Sequence, residues 1–99
     1  MNQFTVVGNV TKKPELRTSA KGKHFIHVSL AVNRPYSNKT DFFVFSAFGD
    51  TAVKMKSLNK GDRILIQSYV ENNQYEKDGQ KVYGTDYIIT YYELVRKRR

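Results

Sequence analysis

The chain has 99 residues and a formal charge of +8, from 17 lysines and arginines against 9 aspartates and glutamates. That length supports one hydrophobic core; the absence of cysteine excludes disulfides, a thiolate nucleophile and a Cys-based zinc site, and no stretch nears the roughly 20 apolar residues of a membrane span. Four of the positive charges are the last four residues, Arg96-Lys97-Arg98-Arg99, so a mildly basic body ends in a strongly basic segment and a polyanion is the natural partner.

In chain order, Asn2 to Val10 reads as a strand that Gly8 interrupts, which implies a bend or a close backbone approach. Lys12-Lys13-Pro14 breaks the pattern, and Thr18 to Lys23 is a polar loop. His24 to Asn33 alternates, with Ile26, Val28, Leu30 and Val32 on one face, and so predicts a strand with one buried side. Pro35 ends it, Tyr36 to Thr40 connects, and Asp41 to Phe48 is a third strand. Gly49-Asp50 opens the one predicted helix: Asp50 is placed to cap it, Ala52, Met55 and Leu58 fall three apart, and Asn59-Lys60-Gly61 stops it. Asp62 to Tyr75 and Lys81 to Val95 are two long strands joined at Asp78-Gly79, a hairpin signal. Five strands with one short helix between the third and fourth match an all-β OB-fold, a five-stranded Greek-key barrel. The expected domain covers residues 1–95, followed by a basic tail over 96–99.

Seven tyrosines and six phenylalanines are more rings than so small a core readily encloses. The third strand shows where the surplus goes. Phe43, Phe45 and Ala47 share one parity without a polar member, which makes it the core face. Phe42 and Phe48 then stand outside. Either a partner subunit or a loop covers them, or they form a stacking platform for nucleic-acid bases, each of which has a π-face. Arg34 and Lys39 before this strand, and Lys54, Lys56 and Lys60 after it, supply cations for phosphates.

Several ordered pieces resemble the bacterial and phage single-stranded-DNA-binding proteins. They are Val7-Gly8-Asn9-Val10, Pro14-Glu15-Leu16-Arg17, Ser29-Leu30-Ala31-Val32-Asn33-Arg34, Thr40-Asp41-Phe42, Phe48-Gly49, Lys60-Gly61 and Tyr83-Gly84-Thr85-Asp86. The resemblance runs over roughly residues 1–95. It implies base stacking at Tyr36, Phe42, Phe48 and Tyr75, a phosphate contact at Lys60, and a homotetramer, with a dimer as the second choice. It also implies a cytoplasmic, nucleoid-associated protein that protects unpaired DNA in replication, recombination or repair.

Four departures temper that picture. Asp50 stands where the family is commonly basic, and Glu71-Asn72-Asn73-Gln74 replaces a segment often rich in Arg and Lys. The chain ends in Arg96-Lys97-Arg98-Arg99 where many cellular members carry a linker and an acidic partner-docking tip, so no docking through such a tip is expected. The connection Ser37-Asn38-Lys39 is shorter than usual. This tailless form points to a phage or other mobile element.

No catalytic motif is visible. His24 and His27 lie on opposite strand faces without companions at metal-ligand spacing, and Asp41, Asp62, Asp78 and Asp86 are scattered. The expected protein is therefore not an enzyme and needs no metal or cofactor. Its partners are single-stranded DNA, RNA as a further candidate, and copies of itself, with no membrane. The nucleic-acid-binding set is Tyr36, Phe42, Phe48, Tyr75, Arg34, Lys39, Lys54 and Lys60. The competing reading is a primosomal or recombination accessory protein on the same fold, acting mainly through protein contacts.

Overall fold

The computed structural model describes residues 1–98; Arg99, the last residue of the expected basic tail, lies outside the described residues. The elements are β1 (Phe4–Val10), β2 (Leu16–Thr18), β3 (His24–Asn33), β4 (Thr40–Phe48), α1 (Gly49–Met55), β5 (Arg63–Lys77) and β6 (Gln80–Arg96). β2 is a strand where a loop was expected. Its three residues pair with the edge of β3, Leu16 opposite Ile26 and Arg17 opposite Phe25. Three residues are too few to show a period of two, so the pattern could not reveal it.

The six strands form one sheet in the order β1-β5-β6-β4-β3-β2, and a second pairing of β1 with β3 closes it into a barrel. The closure hinges on β1. Phe4 to Asn9 pair with β5, while Asn9 and Val10 also pair with β3. At Gly8 the two backbones come so close that a Cβ would meet the Ala31 carbonyl oxygen at 2.6 Å. Glycine is needed there because any side chain would push β3 away and open the barrel.

The interior follows from strand parity. Ile26, Val28, Leu30, Phe45, Ala47, Ile64 and Ile66 are fully buried, and Phe43 packs against them at the core edge. β6 departs from simple alternation. Gln67 pairs with Tyr91 and Ser68 with Ile89, so Thr90 is an extra residue, and its hydroxyl donates to the Gln67 carbonyl at 3.1 Å. The bulge resets the inward face, from Ile89 before it to Tyr92 after it, and adds the twist that a closed barrel requires.

α1 packs on β3 and β4 and buries Ala52 and Met55, with Leu58 buried in the turn that follows. The expected cap at Asp50 is not made. Phe48 is the N-cap residue and makes no side-chain cap bond, while Asp50 lies in the first turn, where its charge suits the helix dipole. The sharp strand-to-helix corner falls at Gly49, whose φ of 64° suits a residue without a Cβ.

The connection from α1 to β5 is tied down by Asp62, which is buried although its surroundings in sequence are polar. Its carboxylate accepts the Asn59 N–H at 2.9 Å and the Arg98 N–H at 3.0 Å, and these donors hold its pKa below the usual carboxylate value. Its own carbonyl accepts the Val10 N–H at 2.9 Å. One residue thus joins the end of β1, the loop and the C-terminal segment. Arg96 belongs to β6 and the Arg98 backbone is fixed to Asp62, so the expected tail is docked at least that far.

Candidate nucleic-acid interface

The aromatic rings divide into two populations. Phe4, Phe43, Phe45 and Tyr87 form a mutual cluster with centroids 5.2 to 6.4 Å apart. Phe42, Phe48, Tyr36 and Tyr75 are 67%, 55%, 106% and 50% exposed, and among the described residues none of them packs on another ring. Phe42 and Phe48 stand on the outer face of β4, separated by six residues, or about 20 Å of strand. Val44 lies between them and is also exposed. Exposing this many apolar groups along one strand has no use for folding, because each would gain about 1.5–3 kcal/mol if buried.

Tyr36 sits at the tip of the β3–β4 connection with φ of 62°, a left-handed conformation that is uncommon for a residue with a large side chain. The connection is braced from both sides. The Arg34 N–H donates to the Lys39 carbonyl at 2.9 Å, and the Lys39 N–H donates to the Ser37 hydroxyl at 3.1 Å. Below the turn, the Arg34 guanidinium donates twice to the Asp41 carboxylate, at 2.8 and 2.9 Å. That fork raises the Arg34 pKa and lowers that of Asp41, and it engages the Nε–Nη2 edge of the guanidinium. Of the two cations expected beside Tyr36, Lys39 is the one whose ammonium has no hydrogen-bond or salt-bridge partner among the described residues.

Tyr75 is carried by an arm. From Glu71 to Lys81 the β5–β6 hairpin has no buried or half-buried residue, and it turns at Asp78 and Gly79 with φ of 53° and 77°. Two positive φ angles mark the type I′ turn that the Asp-Gly pair favours. The Tyr75 ring reaches diagonally across the hairpin to Gly84, where a Cβ would lie 3.8 Å from the ring edge, so Gly84 gives it a flat seat. β6 runs parallel to β4, with Tyr87 beside Phe45. The arm therefore projects at the end of the barrel where β4 begins, which also holds Tyr36 and Phe42. Phe48 marks the other end, next to α1.

The cations are less concentrated than the rings. Lys54 borders a hollow with Thr51 and the Thr90–Leu94 segment of β6, and Lys60 lies in the loop between α1 and β5. Neither stands beside Tyr36 or Phe42. Other exposed or half-exposed rings were not singled out by spacing, Tyr83 and Phe25 among them. Tyr83 is 71% exposed on the arm. Phe25 is half-buried directly opposite Phe48 in the β3–β4 ladder. The parity of His24 to Asn33 put Phe25 on the outer face, but only the strand pairing brings it against Phe48.

Among the described residues no group of three or more His, Asp or Glu side chains could hold a metal ion, and no helix is long and apolar enough to cross a membrane. The model of the single-strand binding protein family matches residues 1–95. Curated relatives include single-stranded DNA-binding protein 1 of Streptococcus pyogenes, 32% identical over 98% of this chain and 79% of its own length. The single-stranded DNA-binding proteins of Fusobacterium nucleatum and Deinococcus radiodurans are 34% and 32% identical over 90% and 98% of this chain. The chain spans only 62% and 35% of the length of those two. With that match over nearly its whole length, the chain belongs to the single-strand binding protein family.

Proposed function

We propose that this domain binds single-stranded DNA without reading its sequence, with bases stacked on Tyr36, Phe42, Phe48 and Tyr75. The observation that carries the reading is the row of exposed rings on the outer face of β4, continued at one end by the Tyr36 turn and the Tyr75 arm. Stacking suits any base, and a base is available for stacking only when unpaired, which gives preference for single strands. Lys39, Lys54 and Lys60 contribute charge along the phosphates, and Arg34 does so when Asp41 releases or shares it. Binding only the unpaired state protects it and melts weak hairpins by mass action, the service needed in replication, recombination or repair. The names of the relatives favour this over an accessory role acting mainly through protein contacts.

The chain acts as a homo-oligomer, four copies before two. The support is family membership, together with the edge of β1 from Phe4 to Val7, which lacks a second ladder partner among the described residues and is free to pair with another copy. Light scattering that gave a monomer mass at micromolar concentration would overturn this part. The main reading is tested by titrating poly-dT, poly-U and duplex DNA at two salt concentrations. Poly-dT should win over duplex at both, and equal binding would defeat the proposal. Poly-U at parity with poly-dT would extend it to RNA.

A further inference from the structure

An open hollow of about 240 Å³ lies where the β1–β2 connection meets the outer face of β3, bordered by Lys12, Lys13, Pro14, Glu15, Arg17 and His27. It is separate from the four rings above, yet adjoins one of them, Phe48. Arg17 of β2 stands in register with Phe25 of β3, and Phe25 stands in register with Phe48 of β4. Two strand spacings, about 10 Å, therefore separate the Phe48 position from Arg17 on the same outer face.

The groups around the hollow are arranged for a nucleotide. The His27 ring is held by the Ser46 hydroxyl, 3.1 Å from Nδ1, and by the edge of Phe25, with centroids 5.8 Å apart and planes at 69°. Its Nε2 has no partner among the described residues. The Arg17 side chain is 66% exposed, and its one carboxylate neighbour among the described residues is Glu15 at 3.8 Å, a loose pair that a phosphate can displace. Lys12 is also exposed. Lys13 serves differently: its ammonium donates to the Lys56 and Leu58 carbonyls and to Asn59 Oδ1, at 3.2 to 3.3 Å, and so fixes the rim of the hollow to the loop after α1.

We infer that this hollow is a fifth nucleotide site, in which a strand leaving Phe48 crosses β3, sets its next base against His27 and Phe25, and gives its phosphate to Arg17 and Lys12. The inference rests on the single-strand reading above and extends the path from β4 to β2. Glu15 is the one acidic side chain at the rim and opposes the phosphate. Lys13 is a positioning residue.

The test uses the full chain and oligo-dT of increasing length. Lys12→Ala with Arg17→Ala should lower the slope of log affinity against log salt by about 1.4, two phosphate contacts at about 0.7 each, and shorten the occluded length by about one nucleotide. His27→Ala should weaken binding by about fivefold, near the low end for losing one stacked base. Glu15→Gln should strengthen it. Lys21→Ala with Lys23→Ala, on the exposed turn between β2 and β3, removes the same charge outside the hollow and controls for general electrostatics. Equal effects of the two double variants, or an unchanged occluded length, would overturn the hollow alone. Failure of the unaltered chain to bind oligo-dT would instead bring down the single-strand reading, and the hollow with it.

Discussion

The two faces of β4 are built from the same residue types and meet opposite surroundings. On the inner face Phe45 and Ala47 are fully buried and Phe43 touches Phe4 and Tyr87, so these side chains hold the barrel together. On the outer face Phe42, Val44 and Phe48 meet solvent, and removing any of them would leave no cavity. A strand makes this division with no extra machinery, because successive side chains point to opposite sides. With bases on the outer face, as proposed, stability and binding can be altered separately along one nine-residue strand, and each expected outcome below tests that separation.

The largest effect belongs to the inner face. Phe45→Ala should cost about 3–5 kcal/mol of unfolding free energy, read from urea denaturation, since it empties a fully enclosed aromatic site. Phe43→Ala should cost less, because its ring is only half-buried at the rim. If Phe45→Ala left the fold intact and only weakened DNA binding, the two faces would have to be exchanged.

Asp62 comes next, and belongs with the inner face although it is charged. Asp62→Ala strands the Asn59 and Arg98 N–H groups and should cost about 2–3 kcal/mol. Its folded pKa lies below its ordinary value, so the stability it contributes is fully present above about pH 4 and is lost as pH falls through the folded value. In Asp62→Asn that part of the acid-side slope should vanish. An unchanged acid limb would show that the carboxylate adds nothing as an anion.

On the outer face, Phe48→Ala and Phe42→Ala should each weaken poly-dT binding by about 1–3 kcal/mol, with unfolding midpoints nearly unmoved. Phe48 is also the N-cap of α1 but makes no side-chain cap bond, so alanine there should not unravel the helix. A large drop in stability for either variant would mean that the outer rings are packing residues whose partner is another copy of the chain.

How much of this was legible in the sequence depends on how local each cause is. The parity of β3 and β4, the Asp78-Gly79 turn and the close approach at Gly8 are written in spacings of one to six residues, and the fold repeats them. What depended on distant partners was hidden. Asp62 is buried because Arg98, thirty-six positions on, comes back to donate to it. Thr90 makes a bulge only against Gln67, and Arg34 is engaged by Asp41 only because β3 and β4 lie in register. Phe42 and Phe48 were legible from the parity of β4 and both are exposed, whereas Tyr36 and Tyr75 were marked only by the resemblance and owe their exposure to the turn and the arm that carry them. The spread of the cations was not legible, because Lys54 and Lys60 are placed by the helix and the loop that follow β4 rather than by β4 itself.

The smallest expected effect is the most direct view of stacking. Tyr36 and Tyr75 are exposed, and neither phenol group hydrogen-bonds to a described residue, so phenylalanine keeps the ring face and removes only the hydroxyl. Affinity for poly-dT should change by less than about 0.5 kcal/mol in Tyr36→Phe and Tyr75→Phe, because stacking uses the ring. The chain has no tryptophan, so its seven tyrosines supply the emission, and rings that stack on bases should be quenched on binding. Each substitution removes one emitter from the quenched population, so the fractional quench at saturation should shrink while the binding curve stays in place. Tyr87→Phe removes an emitter from the inner cluster instead, and should leave the fractional quench unchanged or slightly larger. If Tyr36→Phe and Tyr75→Phe behaved like Tyr87→Phe, bases would not be reaching the turn or the arm, and stacking would be confined to the outer face of β4.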